Sequence, residues 1–441
     1  MNNTKLVLEN NIDLKKYQNI HFLGIGGIGV SAIARMMLLE GKNVSGSDTK
    51  DSEITNELSL LGATIFSGHN KENIKENIDL VVYTVAVLED NPEFVSAKEQ
   101  GIKCLSYPEI LGLISKNKKT IAVSGTHGKT TTTAMIARIF IDSGKEPTVV
   151  VGSKLLEGSD NLRSNFVAGE GEYFIVEACE YRRSFLNIHP TIGVITNIDN
   201  DHLDYYKDLE DIQSAFKSFA ELIPKEGVLI CDRSDERLKS VIEGLNCTIN
   251  DYMDFYEENM EISVSGEHNR KNAAVAIAVG SVCGIDASLS KRALKEFKGT
   301  WRRFENKGKT NSGVFVYDDY GHHPTEVKAT LVGAREKFPD KKITVVFQPH
   351  LYSRTKLLLG DFVKSFDDAD EVLLLPIYAA REPFDGSIKS EMLVEKIGDK
   401  AKSFLNFSDV ENYLKNNLKE SDILITMGAG DVYKVGENLL K

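Results

Sequence analysis

The sequence predicts an α/β protein of three domains, each an open, mostly parallel sheet with flanking helices. Short β-branched runs alternate along the chain with stretches of helical period, the pattern of parallel strands joined by crossover helices. At 441 residues the chain exceeds one ordinary domain. Two glycine-rich turns, GIGGIG at Gly24–Gly29 and GTHGKTT at Gly125–Thr131, each follow a strand-like run and open a helix-like one. Both therefore offer converging backbone N–H groups and a helix N-terminus to an anion.

The first group of strand-like runs is Ile20–Leu23, Val44–Ser47, Leu80–Thr84 and Ile102–Leu105. The polar stretch Ser115-Lys116-Asn117-Lys118-Lys119 closes it, which sets the first domain at 1–117. Within HFLGIGGIGVSAIA, Gly24, Gly26 and Gly29 satisfy G-x-G-x-x-G, and Asp48 ends the next strand, where a ribose-binding acid would stand. The pattern requires only a diphosphate at a helix N-terminus, so it fits a dinucleotide, a UDP-sugar, or glycines that serve the backbone alone.

The second domain, 118–301, opens with the run Thr120–Val123 and the loop SGTHGKTT, Ser124 to Thr131. Lys129 is placed to reach the β- and γ-phosphates of a nucleoside triphosphate and Thr130 to hold Mg²⁺. The general P-loop pattern has an earlier glycine where Val123 stands, so this is a shorter variant built on Gly125 and Gly128. Further strands are expected at Tyr173–Val176, Gly193–Thr196 and Gly227–Cys231. Between the last two, Leu209, Ile212, Phe216, Phe219 and Leu222 recur at helical spacing. Glu177 falls at a strand end, where it is either a Mg²⁺ ligand beside the P-loop or a solvated loop acid. Asn197-Ile198-Asp199-Asn200-Asp201-His202 ends the neighbouring strand and sets a histidine among carboxylates. Asn269 and Asn272, one helical turn apart, face one way; they either read a base or ribose or cap the helix.

The third domain, 302–441, begins at Arg302-Arg303-Phe304, a guanidinium source for a phosphate across a cleft or a surface basic pair. Strands are expected at Val314–Tyr317, Ile343–Phe347, Val372–Leu375 and Ile423–Thr426. Asp318-Asp319-Tyr320-Gly321-His322-His323-Pro324, Gln348-Pro349-His350-Leu351-Tyr352-Ser353-Arg354 and Gly428-Ala429-Gly430-Asp431 each follow a strand, so all three are expected on one rim.

Composition narrows the function. The net charge of −12 argues against nucleic acid or an anionic membrane as partner, because both demand accumulated Lys and Arg. Anionic substrates must then meet local basic pockets. Five scattered cysteines without a C-x-x-C pair suit a reduced compartment, and no apolar run reaches membrane-span length, so a cytoplasmic location is expected.

GIGGIG, GTHGKTT, EACEYRRSF, NIDNDHLD, HNRKN, RRFE, DDYGHHPTE, FQPHLYSRT and GAGD occur in the order seen in the Mur ligases of peptidoglycan precursor synthesis, and nearly the whole chain resembles that family. DDYGHHPTE with FQPH points to the L-alanine-adding member; the nearest alternative attaches a recycled tripeptide to the same sugar nucleotide. The resemblance implies a Rossmann-like N-terminal domain, a P-loop ATPase-like centre and a Rossmann-like C-terminal domain, in a monomer or homodimer. It implies three substrates, UDP-N-acetylmuramic acid, ATP and L-alanine, with Mg²⁺ as cofactor and Mn²⁺ as its substitute. Gly24, Gly26, Gly27 and Gly29, with Asp48 and Thr84, would hold the UDP-sugar. Gly125, Thr126, Gly128, Lys129, Thr130, Thr131, Asn269, Asn272, Arg303 and Asp319 would hold ATP. Thr130, Glu177 and His202 would bind metal, and Tyr320, His322 and Arg354 would line the amino-acid pocket. Lys129, Glu177, His202, Arg303 and Asp319 would form the catalytic set. Two departures stand out: Leu351 replaces a second arginine that many relatives carry, and Asp232–Val264 is shorter than the family's usual stretch.

Overall fold

The computed structural model describes residues 12–156, 164–380, 382–384 and 386–441. Three sheets follow one another along the chain. In the first, β1 (Asn19–Leu23), β2 (Asn43–Asp48), β3 (Thr64–Ser67), β4 (Leu80–Tyr83) and β5 (Lys103–Ser106) lie in the order β3-β2-β1-β4-β5, all parallel. Strand order reverses at β1, so the crevice beyond its carboxyl end, where the GIGGIG loop leads into the helix Ile28–Leu39, is the natural ligand position.

The second sheet contains β6 (Lys119–Ser124), β7 (Thr148–Leu155), β8 (Ser164–Val167), β9 (Tyr173–Glu177), β10 (Ile192–Ile195), β11 (Val228–Cys231) and β12 (Thr248–Asp251). Their order is β12-β11-β10-β6-β9-β7-β8, with only β8 antiparallel to its neighbour. The P-loop strand β6 thus lies between β9, which ends at Glu177, and β10, which runs into the Asn197–His202 segment. On one face the loop helix Lys129–Asp142 packs against the alanine-rich helix Glu267–Val282 in a core holding Met135, Ile139, Ala273 and Ile277. On the other, Ile212, Phe216 and Phe219 of the helix Leu209–Ala220 are buried; Leu222, expected in the same stripe, lies beyond the helix end and is exposed.

The third sheet comprises β13 (Glu305–Lys309), β14 (Phe315–Asp319), β15 (Ile343–Phe347), β16 (Glu371–Leu374), β17 (Ala401–Ser403) and β18 (Ile423–Met427), ordered β13-β14-β18-β15-β16-β17 with β13 antiparallel. β14, β18 and β15 are adjacent and parallel, so the three motif-bearing loops do share one rim. Asp318 and Asp319 belong to β14 itself rather than to the loop after it.

The sheets are tied together at β7. Gly152 donates its N–H to Glu177 Oε2 at 2.8 Å, and Ser153 Oγ donates to the Trp301 carbonyl at 2.7 Å. The Lys154 carbonyl accepts the Trp301 N–H at 2.9 Å, while its ammonium, 2% exposed, meets Glu57 at 2.9 Å and Glu53 at 3.1 Å on the first-domain helix Glu53–Leu60. Glu57 also pairs with Arg35 of the helix Ile28–Leu39 at 2.5 Å. Trp301 packs edge-on to Tyr433 of the third domain, with ring centroids 6.1 Å apart. Three successive residues of one strand therefore hold Glu177, the link to the third domain and the first domain.

Because Glu53 and Glu57 can still reach water once Lys154 is gone, Lys154→Met is expected to destabilise the chain by only about 1–2 kcal/mol, less than a fully buried pair would lose. Denaturant titration reads this as a lowered unfolding midpoint; an unchanged midpoint would show that the ion pair adds nothing to the junction.

Candidate active site

The P-loop is built by its neighbours as much as by its glycines. Thr126 N–H donates to the Asn197 carbonyl (3.0 Å), His127 N–H to Asn197 Oδ1 (2.9 Å), and Thr196 Oγ1 donates to the His127 carbonyl (2.6 Å). Gly125, at φ 129°, lies so close to Thr196 that a Cβ there would fall 2.0 Å from Oγ1. No side chain fits, which is why the loop can lie directly on the end of β10.

Lys129 opens the helix and folds its ammonium back onto the carbonyls of Gly125 (2.6 Å) and Thr126 (3.0 Å) and onto Glu180 (2.9 Å). Burial pulls its pKa down, but the charge of Glu180, with Cys179, Glu177 and the Glu180 hydrogen bond, outweighs burial and holds it above the usual lysine value. Glu180, buried at 2% exposure, is thus a site residue that the sequence reading passed over, although it lies in EACEYRRSF three positions after Glu177.

The proposed metal-binding pair is brought together: Thr130 Oγ1 donates to Glu177 Oε1 at 3.2 Å, and Arg303 of the third domain reaches Thr130 Oγ1 at 3.3 Å. His202 stands across the same cavity, its Nε2 3.7 Å from Glu180 Oε1. Hard oxygens on Thr130 and Glu177 suit Mg²⁺, which prefers few carboxylates and completes its shell with water and phosphate oxygens. A second group of residues, His127, Asp199 and His323, is also close enough to hold a cation. His127 is engaged there, between Asp199 at 3.2 Å and Glu326 at 3.4 Å.

Asn269 and Asn272 are both buried and line a second cavity with His127, Thr131, Arg303 and Asp319. They do not cap their helix, whose N-cap is Gly266: Asn269 Nδ2 donates to the Ser265 carbonyl (2.7 Å), and Asn272 Nδ2 donates to Asn269 Oδ1 (3.3 Å). The Asn272 Oδ1 atom meanwhile accepts from Thr132 Oγ1 at 3.2 Å, which fixes the pair against the P-loop helix.

The third domain closes the site through Arg302 and Arg303, which do different work. Arg302 is buried and structural: it pairs with Asp318 at 2.8 Å and donates to the carbonyls of Gly428 (2.6 Å) and Gly430 (3.1 Å), so the GAGD loop serves as its acceptor. Arg303 turns to the cavity over the Tyr320 ring. Asp319 accepts backbone N–H groups of Phe304 (2.7 Å) and Gly321 (2.6 Å); burial pushes it to about 6 against the opposing pull of Arg303 and the Gly321 amide. Tyr320 and His322 line the Lys129 cavity, and burial lowers His322 to about 4, leaving it neutral near pH 7. Arg354, by contrast, faces a separate small cavity and is held by Asp201 at 2.8 Å and His350 at 2.9 Å. That small cavity adjoins the Lys129 cavity: Asp201 and His202 line both, and the His350 ring stands edge-on to His322 with centroids 5.5 Å apart.

In the first domain Gly24, Gly26 and Gly27 form the turn into the helix Ile28–Leu39, and Gly29 lies in that helix's first turn. Asp48 Oδ2 accepts the Gly26 N–H at 2.9 Å, so the acid expected at a ribose braces the loop, and Thr84 packs against Gly24.

Three family models cover this chain in order: Mur ligase family, catalytic domain, over residues 19–119; Mur ligase middle domain, over 123–259; and Mur ligase, glutamate ligase domain, over 302–430. The chain belongs to the Mur ligase family. It is 45% identical to UDP-N-acetylmuramate–L-alanine ligases of Clostridium botulinum and Clostridium kluyveri, over 96% of its length and 97–98% of theirs. Its fold matches the crystal structure of the UDP-N-acetylmuramate-alanine ligase MurC from Thermotoga maritima at TM-score 0.80 and 29% identity, covering 96% of this chain and 98% of that one. A murein peptide ligase from Psychrobacter arcticus, 24% identical at TM-score 0.73 over 96% and 98%, shares the fold.

The His127 bridge yields a pH prediction. Burial lowers its pKa, but the hydrogen bond to Asp199 and the Glu326 carboxylate 3.4 Å away raise it to about 9, so the protonated ring adds its full stabilisation below pH 6.5 and loses it as pH rises through 9. His127→Gln is therefore expected to melt several degrees below the parent at pH 6.5 and to draw level near pH 10. A difference in melting temperature that stays constant over that range would mean His127 carries no charge in the bridge.

Proposed function

We propose that this chain is an ATP-dependent carboxylate–amine ligase that joins L-alanine to the carboxylate of UDP-N-acetylmuramate in peptidoglycan precursor synthesis, in the cytoplasm. The observation that carries the reading is a single cavity lined at once by Ile28 and Gly29 of the first domain, Lys129, Thr130 and Glu177 of the second, and Arg303, Tyr320 and His322 of the third. Near-full-length identity to ligases of that name supports the choice of substrates. Residues 1–117 would bind the UDP-sugar, 118–301 ATP, and 302–441 the amino acid while closing over ATP. Among the described residues, no helix is long and apolar enough to cross a membrane.

The reaction brings anions together, so the protein's part is positioning and charge neutralisation. The diphosphate of the sugar nucleotide lies on Gly24–Gly29 and the helix behind it, with Asp48 and Thr84 supporting the loop. ATP lies along Gly125–Thr131, with its adenosine end toward Asn269 and Asn272. Mg²⁺ bound by Thr130 and Glu177, with His202 as a further ligand, would neutralise phosphate charge. The muramoyl carboxylate attacks the γ-phosphorus, ADP departs and an acyl phosphate remains; the alanine amine then adds to the acyl carbon and phosphate leaves. Lys129 exchanges its loop carbonyls for γ-phosphate oxygens, and Arg303 approaches the same charge from the third domain. Tyr320 and His322 complete the wall that keeps water from the acyl phosphate. The neutral His322 ring is available as an acceptor for the incoming ammonium.

Phosphate release with UDP-N-acetylmuramate and ATP is expected to require L-alanine and to ignore tripeptide; the reverse dependence would replace this reading with that of the tripeptide ligase. Lys129→Ala should lower turnover at least about 1,000-fold while sugar-nucleotide affinity changes less than about threefold, because Lys129 acts on the transferring phosphoryl group. Equal losses in both would contradict the division of labour. His202→Ala should raise the Mg²⁺ concentration for half-maximal rate, and an unchanged Mg²⁺ dependence would remove His202 from the metal site.

A further inference from the structure

Between the GIGGIG loop and the P-loop stands a tyrosine that no motif marks. Tyr107 is the first residue of the helix Tyr107–Ser115, whose start is fixed by Glu109 accepting the Ser106 N–H at 2.7 Å. Its ring lies directly on Gly29: a Cβ at that glycine would fall 2.7 Å from Cζ and 2.9 Å from the hydroxyl oxygen. The backbone of Gly29 is ordinary, so the third glycine of G-x-G-x-x-G is required here by the approach of Tyr107 rather than by a special φ.

The hydroxyl faces the cavity that Lys129, Thr130, Glu177 and His202 line from the other side, and among the described residues none hydrogen-bonds to it. Tyr107 is half-buried, and a phenol hydroxyl that lines a cavity is a donor for whatever occupies it. Burial, then the charges of Glu177 and Cys179, raise its pKa, so it remains protonated and a donor throughout the working pH range. Resting on the function proposed above, the sugar nucleotide must span this gap: its diphosphate sits on the loop that Tyr107 abuts, and its carboxylate must reach Lys129.

We propose that Tyr107 is a substrate-positioning residue whose hydroxyl donates a hydrogen bond to the lactyl carboxylate of the muramoyl unit, orienting that carboxylate for attack on the γ-phosphate. A carboxylate is the acceptor of choice because the lone donor faces the phosphoryl-transfer side of the cavity, and charge-assisted bonds to O–H are the strong ones. No bond is made or broken at the tyrosine.

The test is Tyr107→Phe, which keeps the ring on Gly29 and removes only an oxygen without a protein partner, so the melting temperature should not move. The Michaelis constant for UDP-N-acetylmuramate should rise about tenfold or more, as for a lost hydrogen bond to a charged group, with those for ATP and L-alanine unchanged. UDP-N-acetylglucosamine, which lacks the lactyl group, serves as the second probe: its inhibition constant should be the same in parent and variant. An unchanged Michaelis constant for UDP-N-acetylmuramate, or equal weakening of both sugar nucleotides, would overturn the assignment to the carboxylate. A parent enzyme without L-alanine-dependent phosphate release would instead sink the proposed function, so the two failures are told apart.

Discussion

The whole arrangement depends on balancing charge in a cleft from which water is being removed. Lys129, His127 and Arg354 each enter that cleft against an acid already waiting there, and the acids come from different places in the chain. An uncompensated charge in such surroundings costs several kcal/mol, so each partner fixes the position of the other. Glu180 holds Lys129 on its own loop. Asp201 keeps Arg354 in place, and Asp199 with Glu326 keeps His127 charged between two domains. Anionic substrates thus enter a site whose cations are present and oriented even though the chain as a whole is acidic.

A second constraint is mechanical. Sheets on separate domains can present loops to one another only if something fixes their spacing, and the short run Gly152-Ser153-Lys154 supplies that contact. Its backbone and side chains reach Glu177, Trp301 and the first-domain acids in consecutive steps. Arg302 continues the path by filling its donors with Asp318 and the Gly428 and Gly430 carbonyls, which leaves Arg303, the next residue, aimed at Thr130. Adjacent arginines thereby divide into one that anchors the junction and one that serves the site.

Central strands were legible in the sequence because burial on both faces makes them continuous apolar runs, as in Ile343–Phe347 and Ile423–Met427. Most edge strands were not: Glu305–Lys309 is almost wholly polar, Ala401–Ser403 has three residues, and Thr248–Asp251 carries one large apolar side chain. Thr148–Leu155 was missed for another reason, since its β-branched run stops at Val151 and Gly152-Ser153-Lys154 follow. Among site residues, glycines, Lys129 and Glu177 follow local rules of strand, turn and helix. Glu180, Asp199, Asp201 and Glu326 sit in the same motifs but act through partners far away in sequence, and Tyr107 is significant only because it meets Gly29 across the fold.

Trp301 is the chain's one tryptophan, and it stands where the central strand β7, the first domain's acids through Lys154, and Tyr433 of the third domain converge. Its indole face lies 5.6 Å from a buried ammonium and its edge beside a phenol ring. Indole emission responds to nearby charge and to solvent, so any rotation of one domain against another alters the light this residue gives off. The protein carries its own optical gauge of any such rotation, with no label to attach and no competing fluorophore of the same kind to subtract.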